Sequence, residues 1–333
     1  MEEQIKLYHG DGGKYTNILL NELFYIYFNN EILLKGTDSG VFQINQGRLA
    51  FTTDSFVIKP LFFSGGNIGK LAVCGTINDL AVSGAKPLYL SAGFIIEEGF
   101  SYKNLERIVE AMSQSCKETG TKIITGDTKV VEKGSVDGLF INTAGIGVIE
   151  NDYEPKKINP GDQIIITGSI AEHGTAIALE RYDIKAKGDF HSDCSSIYNI
   201  IHSLMPYCHV IKLMKDPTRG GLATVLNEIA AATGIGIRIS ENELPIRKEV
   251  IAVCSLLGID PLYLASEGRA ILVVNPWMSQ EILKCIQDCE NGKDARIIGS
   301  FIDNKESIVY LETNAGGKRL LHSLDAPMLP RIC

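Results

Sequence analysis

The chain has 333 residues, of which 45% are hydrophobic and 22% are charged, and its formal net charge is −8. This composition is typical of a globular protein with room for two domains, and the negative charge excludes a general nucleic-acid binder, which needs a basic surface. Because the sequence has neither a signal-peptide pattern nor an apolar run long enough to span a membrane, we expect a cytoplasmic protein with no membrane partner.

The first half of the chain alternates helical and strand patterns. Residues 1–35 hold a Gly-rich opening and then an apolar helix near 16–28. Beyond them, the pattern predicts strands over 36–63 and then a helix of small residues that begins at 67 and is ended by Gly84 and Pro87. A strand over 88–96 and a helix over 101–119 follow. Residues 122–131 are predicted to form a strand, a loop and the start of a second strand, and residues 138–150 a further strand.

A polar stretch with two prolines, residues 151–162, marks a domain boundary. The second half repeats the alternation, with predicted strands near 163–168, 235–240, 269–274 and 296–301, helices near 173–182, 195–205, 219–233 and 246–257, and a hairpin around 311–321. We therefore predict two α/β domains, over 36–152 and 153–312. The segment 1–35 precedes them, and a mobile, proline-stiffened tail, 313–333, follows.

The chain has eight cysteines. They lie mostly in apolar segments and no two form a C-x-x-C pair, so we expect neither disulfides nor a thiolate zinc site in a cytoplasmic protein. Cys285 and Cys289, four residues apart in SQEILKCIQDCE, indicate packing on a further helix. Cys333 differs because it is the last residue, where packing does not easily shelter a thiol.

Several aspartates stand where the fold alone would not select them. Asp54 interrupts a strand-like run, and Asp79, beside Asn78, lies in a helix of small and apolar residues. Burying a carboxylate is costly unless it is paired or binds a metal. Asp54 is either a ligand or a turn residue between two strands. For Asp79 the sequence favours a buried ligand over a position on an exposed stripe, and Asn78 would add a carbonyl oxygen or a hydrogen bond.

Two further aspartates are predicted to lie in loops. Asp127 follows a short apolar strand, at the kind of position where α/β proteins hold ligands. Asp216 precedes Pro217 and a helical pattern, which is also the signature of a helix N-cap. Gly220 and Gly221 weaken the first turn of that helix, and a ligand that approaches the backbone there would explain them.

Aspartates at turns with glycines beside them are typical of Mg²⁺ held against phosphates, because this ion takes carboxylate and phosphate oxygens together. The Gly-rich stretch His9–Thr16 would add the backbone N–H groups of Gly12 and Gly13 and the charge of Lys14. It does not have the Walker A spacing, and a flexible N-terminal turn is the alternative. The loop 168–176 is a weaker phosphate signal.

Together these stretches resemble the HypE family of hydrogenase maturation proteins, the carbamoyl dehydratases of the PurM-like ATP-binding superfamily. The matching motifs keep the family order and span almost the whole chain: HGDGGK, TTDSF, GTINDLAVSGAKPLYLS, GDTKVVEKG, DPTRGGLATVLNEIA, ASEGR and the terminal PRIC. Single motifs also occur in relatives such as selenophosphate synthetase and thiamine-phosphate kinase. The terminal PRIC is the motif that is specific to HypE.

The resemblance implies two PurM-like domains, a homodimer built through a β-barrel-type interface of the N-terminal domains, and ATP with Mg²⁺ near that interface. It implies that Cys333 receives a carbamoyl group from the carbamoyltransferase HypF. ATP-dependent dehydration would then convert it to an S-cyano group, a thiocyanate. The cyano group would pass to iron on the HypC–HypD complex, for the [NiFe]-hydrogenase centre.

The resemblance also assigns roles by position. Asp54, Asp79 and Asp216 match aspartates that hold magnesium and phosphates, with Asp127 close by. Lys129 would neutralise charge on the phosphoryl or carbamoyl oxygen. A surface lysine at a strand edge is the alternative for Lys129.

Three further residues complete the predicted site. Glu267 would be the base that takes protons from the carbamoyl nitrogen, with a pKa raised by burial, or else a partner of Arg269 or Arg247. His9 and His173 flank glycines, and they would contact phosphates or serve simply as loop histidines.

Three other functions stay open. The chain could be a small-molecule kinase or synthetase of the same superfamily that does not use Cys333. It could be a carrier and scaffold whose cysteine shuttles a group made elsewhere. Finally, Cys333 could form a disulfide across a dimer, which a cytoplasmic composition disfavours.

Overall fold

A computed structural model describes residues 4–9, 14–35, 42, 47–149, 151–304, 306–323, 328–329 and 331–333. Gly12, Gly13 and the side chain of Lys14 lie outside this description, so the predicted phosphate loop is not part of it. Within the described residues, no helix is both long and apolar enough to cross a membrane.

The N-terminal half begins with a continuous helical stretch, which confirms the helix predicted near 16–28. It consists of α1 (Lys14–Leu19), a π-helical turn (Leu20–Phe24) and α2 (Tyr25–Tyr27). Its buried side chains join the hydrophobic core of this half.

The first sheet has four strands and carries two helices on one face. Its elements are, in chain order, β1 (Arg48–Phe56), a small hairpin of β2 (Phe62–Phe63) and β3 (Gly66–Asn67), α3 (Ile68–Val82), β4 (Lys86–Glu97), α4 (Tyr102–Thr119), β5 (Lys122–Val131) and β6 (Leu139–Ile149). The strand order is β1-β6-β4-β5, and only β4 and β5 run parallel. Strands β1 and β5 are therefore the edges.

The face of this sheet that points away from α3 and α4 is open and partly apolar. Leu49, Phe51 and Ile95 are 44%, 70% and 43% exposed. Because successive side chains of a strand point to opposite faces, Thr52 and Asp54 of β1 point towards α3. The sheet thus separates an open apolar face from a face that carries acidic side chains.

Helix α3 lies close to its neighbours because its residues are small. A Cβ atom on Gly69 would stand 2.4 Å from the carbonyl oxygen of Ile108 in α4, so only glycine allows this approach. The Asn67 side chain caps the helix by accepting hydrogen bonds from the N–H groups of Gly69 and Lys70. The close packing places Asp79, near the C-terminal end of α3, beside β1.

The second half forms a seven-stranded sheet. The elements are β7 (Gln163–Ile166), α5 (Glu172–Arg181), α6 (Tyr198–Ser203), β8 (Ile211–Lys215), α7 (Gly221–Thr233), β9 (Gly236–Ser240), α8 (Lys248–Leu257), β10 (Ile271–Val274), α9 (Ser279–Gln287), β11 (Arg296–Ile302), β12 (Val309–Glu312) and β13 (Lys318–Leu320). Their order is β13-β12-β9-β11-β7-β10-β8, and only β12 and β9 are parallel. The predicted helices, the hairpin and the strands of this half are confirmed to within a few residues.

Two predictions of secondary structure were wrong. Residues 122–131 are one strand, β5, and not a strand, a loop and a strand start. A Cβ atom on Gly126 would stand 2.4 Å from the oxygen of Ala92, so this glycine permits close strand pairing and does not mark a turn. Strand β8 was not predicted. It has only five residues, two of which are lysines, and they do not alternate regularly with the apolar ones.

The end of the chain packs into the N-terminal core. Leu329 and Ile332 are buried in the same cluster as Phe56 and Ile58, together with side chains of α5 and α8. The sheet also extends beyond residue 312, since β13 pairs with β12. The last residues are therefore docked in this structure, and the mobility of the tail stays a prediction.

Candidate active site

Main-chain hydrogen bonds hold the tail beside the segment that follows β1. The N–H groups of Val57 and Lys59 donate to the main-chain oxygens of Cys333 and Arg331, both at 3.2 Å. The Arg331 side chain donates back to the Val57 oxygen at 2.9 Å. These bonds fix the last three residues beside the segment 57–59, with a left-handed backbone at Arg331.

Ionic contacts add to this docking. One oxygen of Asp137 accepts hydrogen bonds from Arg331 and Lys59, both at 2.8 Å, and these two cations lower the Asp137 pKa. Arg181 donates to the Arg331 oxygen at 2.7 Å. The Arg331 side chain thus holds the docked tail through both Val57 and Asp137.

The docked Cys333 thiol lies close to two charged groups. Arg219 Nη2 is 3.7 Å from the sulfur, and the buried Glu267 is near enough to influence its pKa. Burial, the largest effect, raises the Cys333 pKa to about 11. The docked sulfur is consequently a neutral thiol at neutral pH and a weak nucleophile.

Glu267 is completely enclosed. Burial, followed by repulsion from Asp216 and Asp193, raises its pKa well above the ordinary value, as predicted. Its Oε1 atom has no hydrogen-bond partner among the described residues. The alternative that Glu267 pairs with Arg269 or Arg247 is wrong. A buried carboxyl oxygen left unpaired beside a thiol is available to a group attached to that thiol.

A supporting network, which the sequence did not reveal, surrounds Glu267. Asp193 Oδ1 accepts from the Glu267 N–H at 3.1 Å. Asp193 Oδ2 lies 3.5 Å from Arg269 Nε. Glu172 pairs with both arginines, with Arg269 at 3.1 Å and with Arg247 at 3.4 Å. Asp193 and Glu172 are distant from Glu267 in sequence, so no local motif could have identified them.

Asn78 connects the two halves of the chain at this site. Its side-chain nitrogen donates to the oxygens of Ser195 and Glu267 at 3.1 and 3.0 Å, and its oxygen accepts from the Ile197 N–H at 2.9 Å. The side chain thus binds protein backbone. Its predicted role as a cofactor ligand stays a prediction.

Three predicted aspartates come together around Glu267. Asp54 lies within β1 and not in a turn, and Asp79 accepts a hydrogen bond from Thr52 at 2.8 Å. Asp216 directly follows β8 and is not an N-cap, since α7 begins at Gly221. Burial is the main cause that raises the pKa of all three carboxyls, with mutual repulsion also acting on Asp79 and Asp216.

The cluster is acidic enough to attract a cation. Burial, with repulsion from Asp79 and Asp54, raises the Asp216 pKa to about 7. Asp79 is partly exposed, and Asp79 and Asp216 line one cleft with Thr52 and Tyr153. In the part of the chain that the structure describes, no three His, Cys, Asp or Glu side chains are arranged to hold a metal by themselves. A cation here would need oxygens from a second molecule.

Asp127 and Lys129 lie elsewhere. Both are exposed on β5, where Lys129 Nζ pairs with Asp127 Oδ1 at 2.9 Å. Asp54 is on β1, the opposite edge strand. Three strand spacings of about 4.8 Å separate β1 from β5, roughly 14 Å in all. Asp127 is inside β5 and not at a strand end, so its predicted position was wrong, whereas its role as a ligand stays a prediction. Within one chain, the structure does not bring these two residues to the acidic cluster.

Neither predicted histidine is an open loop residue. His9 is buried, and its Nδ1 accepts from the Lys6 N–H at 2.9 Å. His173 is buried in α5, where its Nε2 contacts the main-chain oxygen of Ile332 at 2.8 Å. His173 therefore contacts the docked tail, a role that the sequence did not predict.

Gly220 and Gly221 have an explanation within the chain. Their φ angles are +77° and +63°, and a Cβ atom on Gly221 would stand 2.5 Å from the Leu264 oxygen. The pair turns the chain from Asp216 into α7 while the backbone near Leu264 passes close by. Ligand approach at this turn stays a prediction.

We expect Gly221→Ala to lower the free energy of unfolding by at least about 2 kcal/mol, because it adds left-handed strain to a clash. Gly234→Ala is the matched control, since Gly234 has φ of +71° but open space around its Cβ position. Urea unfolding of both variants would measure the difference. Equal losses would contradict the packing role of Gly221.

Comparisons with known proteins agree with this architecture. Residues 36–149 match the N-terminal domain, and residues 159–312 the C-terminal domain, of the AIR synthase related proteins. The chain is 43% identical to the carbamoyl dehydratase HypE of Bradyrhizobium diazoefficiens, over 99% of this chain and 96% of that protein. The chain belongs to the HypE family.

Solved HypE structures superpose closely on it. A HypE crystallised with ATP is 41% identical and has a TM-score of 0.94, covering 98% of this chain and 99% of that one. The HypE–HypF complex contains a chain 44% identical, with a TM-score of 0.81, covering 92% and 99%. The two PurM-like domains predicted from the sequence are therefore confirmed.

Proposed function

We propose that this protein uses ATP to dehydrate an S-carbamoyl group on Cys333 to an S-cyano group, the source of the cyanide ligand of [NiFe]-hydrogenase iron. The docked tail carries this proposal. It holds the Cys333 sulfur beside Arg219 and near the buried Glu267, whose Oε1 has no partner among the described residues. The S-carbamoyl group, tethered to the tail, would thus be delivered to Glu267 as the base and to the aspartates that would bind Mg-ATP. Tethering removes the entropy cost of a second encounter.

The reaction balances with ATP as the only co-substrate. The carbamoyl oxygen attacks the γ-phosphorus and ADP leaves, which converts a poor leaving group into phosphate. The nitrogen loses its two protons, the first to Glu267 and the second to the leaving phosphate, while the C–O bond breaks and the C≡N bond forms. The products are an S-cyano cysteine, ADP and phosphate. Glu267 suits this role because burial raises its pKa, which makes its carboxylate a stronger base than an exposed one.

Arg219 and the aspartates divide the remaining work. Arg219, at 3.7 Å from the sulfur, lies where it can orient the carbamoyl oxygen. Asp54, Asp79 and Asp216 fit Mg²⁺, since each carboxyl has a raised pKa that a cation would relieve, and nucleotide phosphates would supply the other oxygens. Mg²⁺ held there would neutralise charge on the transferring phosphoryl group.

A homodimer would account for the open sheet face. Leu49, Phe51 and Ile95 project from it, and β1 and β5 are the edge strands among the residues that the structure describes. A second copy that closes both edges in a barrel would bury this apolar surface. If β5 of one protomer lies against β1 of its partner, Lys129 approaches the other chain's Asp54. The catalytic assignment of Lys129 depends on this arrangement.

The proposed partners act on the released tail. A HypF-type carbamoyltransferase would load Cys333, and a HypC–HypD-type complex would accept the cyano group. The complex of a related HypE with HypF supports the first assignment. The raised pKa of the docked thiol supports release before loading, because a buried neutral thiol attacks carbamoyl donors slowly.

Mass spectrometry of the C-terminal peptide tests the function. After incubation with HypF, carbamoyl phosphate and Mg-ATP, we expect Cys333 to carry a carbamoyl group that loses one water only when ATP is present in the second step. The Cys333→Ala variant is the control. Carbamoylation without water loss would indicate a carrier, and an unmodified Cys333 beside an active HypF would indicate another superfamily enzyme.

A further inference from the structure

His173 is a fully buried side chain at the junction between the tail and the loop 192–195. Its Nε2 lies 2.8 Å from the main-chain oxygen of Ile332, and its Nδ1 lies 2.7 Å from Ser192 Oγ. The ring of Phe63 packs edge-on against it at 5.3 Å. Neither the acidic cluster nor a phosphate site uses this residue.

The partners determine which nitrogen carries the proton. A main-chain oxygen can only accept, so Nε2 is protonated and donates to Ile332. Nδ1 then accepts from the Ser192 hydroxyl. Burial lowers the His173 pKa to about 4, which keeps the ring neutral at neutral pH. The ring therefore has one defined tautomer, with the donor pointing at the tail.

The same contacts lead to the base. Ser192 Oγ accepts from the Cys194 N–H at 3.0 Å, and the intervening Asp193 accepts from the Glu267 N–H at 3.1 Å. A short chain of hydrogen bonds thus runs from the tail, through His173 and the loop 192–194, to the backbone of Glu267.

We propose that His173 is a positioning residue that holds the docked tail through the Ile332 oxygen and, through Ser192, fixes the loop that positions Glu267. The catalytic half of this proposal rests on the proposed function, whereas the docking half does not. When the tail leaves, the buried Nε2–H loses its partner, which disfavours release.

Alkylation of Cys333 measures docking without any partner protein. Iodoacetamide is added to the full-length protein, and the C-terminal peptide is quantified over time by mass spectrometry. We expect His173→Ala to raise the alkylation rate about tenfold, the effect of one lost hydrogen bond. His173→Gln restores a donor at the Nε2 position and should return the rate towards the wild-type value.

His202→Ala is the matched control, since His202 is exposed on α6 and has no hydrogen bond to the tail residues that the structure describes. It should alkylate at the wild-type rate. Thermal unfolding of each variant identifies any loss of fold. If His173→Ala alkylates like the control while remaining folded, or if glutamine fails to restore protection, the docking role is overturned.

Steady-state kinetics test the link to Glu267. Ser192→Ala keeps the His173 bond to the tail but removes the connection to the loop. We expect wild-type alkylation, a kcat for cyano formation about tenfold lower, and an unchanged KM for ATP. A simultaneous rise in the KM, or an unchanged kcat, would overturn the link. If the wild-type protein forms no cyano group, the proposed function fails, and the alkylation rates still decide the docking role.

Discussion

Glu267→Gln should reduce the rate of cyano formation by about 10²- to 10⁴-fold, the usual contribution of a general base. Glutamine has nearly the same shape but cannot take a proton from the carbamoyl nitrogen. Carbamoylation of Cys333 should continue, because we propose that it takes place on the released tail. The S-carbamoyl peptide would therefore accumulate, and mass spectrometry would detect it in the presence of Mg-ATP.

The same variant should be more stable than the wild-type protein at neutral and alkaline pH. Glu267 has a raised pKa in the folded protein, so its stabilising, neutral form is present at low pH and is lost as the pH rises through the folded pKa. Glutamine stays neutral throughout. Loss of activity together with a higher unfolding temperature is the signature of a residue that is kept for function.

Glu281→Gln serves as the control, since Glu281 is exposed on α9. It should change neither the rate nor the unfolding temperature. Rapid cyano formation by Glu267→Gln would exclude Glu267 as the base. A rate of the wild-type enzyme that does not fall at low pH would do the same, because only the ionised carboxylate accepts a proton.

The alternation of helices and strands was predictable because each element carries its own hydrophobic pattern. Errors arose where one residue type has two structural uses. Gly126 and Asp127 suggested a turn, yet the glycine allows β5 to pair closely with β4. Pro217 after Asp216 suggested an N-cap, yet the left-handed pair Gly220–Gly221 delays the start of α7.

The candidate site was partly predictable. Asp54 and Asp79 were found because a carboxylate is anomalous among apolar neighbours. Asp193 and His173 gave no such signal, since a buried aspartate or histidine is recognised only through the partners that compensate it. Those partners are Arg269 and the tail oxygen, and both are distant in sequence. Contacts between residues that are far apart in the sequence leave no local pattern from which they could be predicted.

Asp216→Asn should reduce ATP-dependent cyano formation by at least about 10²-fold, because it removes a carboxylate from the proposed Mg²⁺ site, where positioning and charge neutralisation provide most of the catalysis. The Asp216 pKa of about 7 gives a second, independent readout. Mg-ATP should bind the ionised form, so binding by the wild-type protein near pH 7 should release close to half a proton.

Calorimetry in buffers of different ionisation enthalpy measures that release, which should be smaller in Asp216→Asn, where only the other raised carboxyls Asp54 and Asp79 remain. Without ligand, the variant should unfold at a higher temperature than the wild-type protein above pH 7. A raised carboxyl pKa means that stability is lost as the pH rises from about 4 to 7, and asparagine does not ionise.

Asp152→Asn, at an exposed position, should behave like wild type in both experiments. Undiminished proton release by Asp216→Asn would move the metal site away from Asp216. If Asp216→Asn loses proton release but keeps its turnover, Asp216 ionises on binding but is not needed for catalysis. That result would contradict the proposal, which requires the same charge for binding and for catalysis.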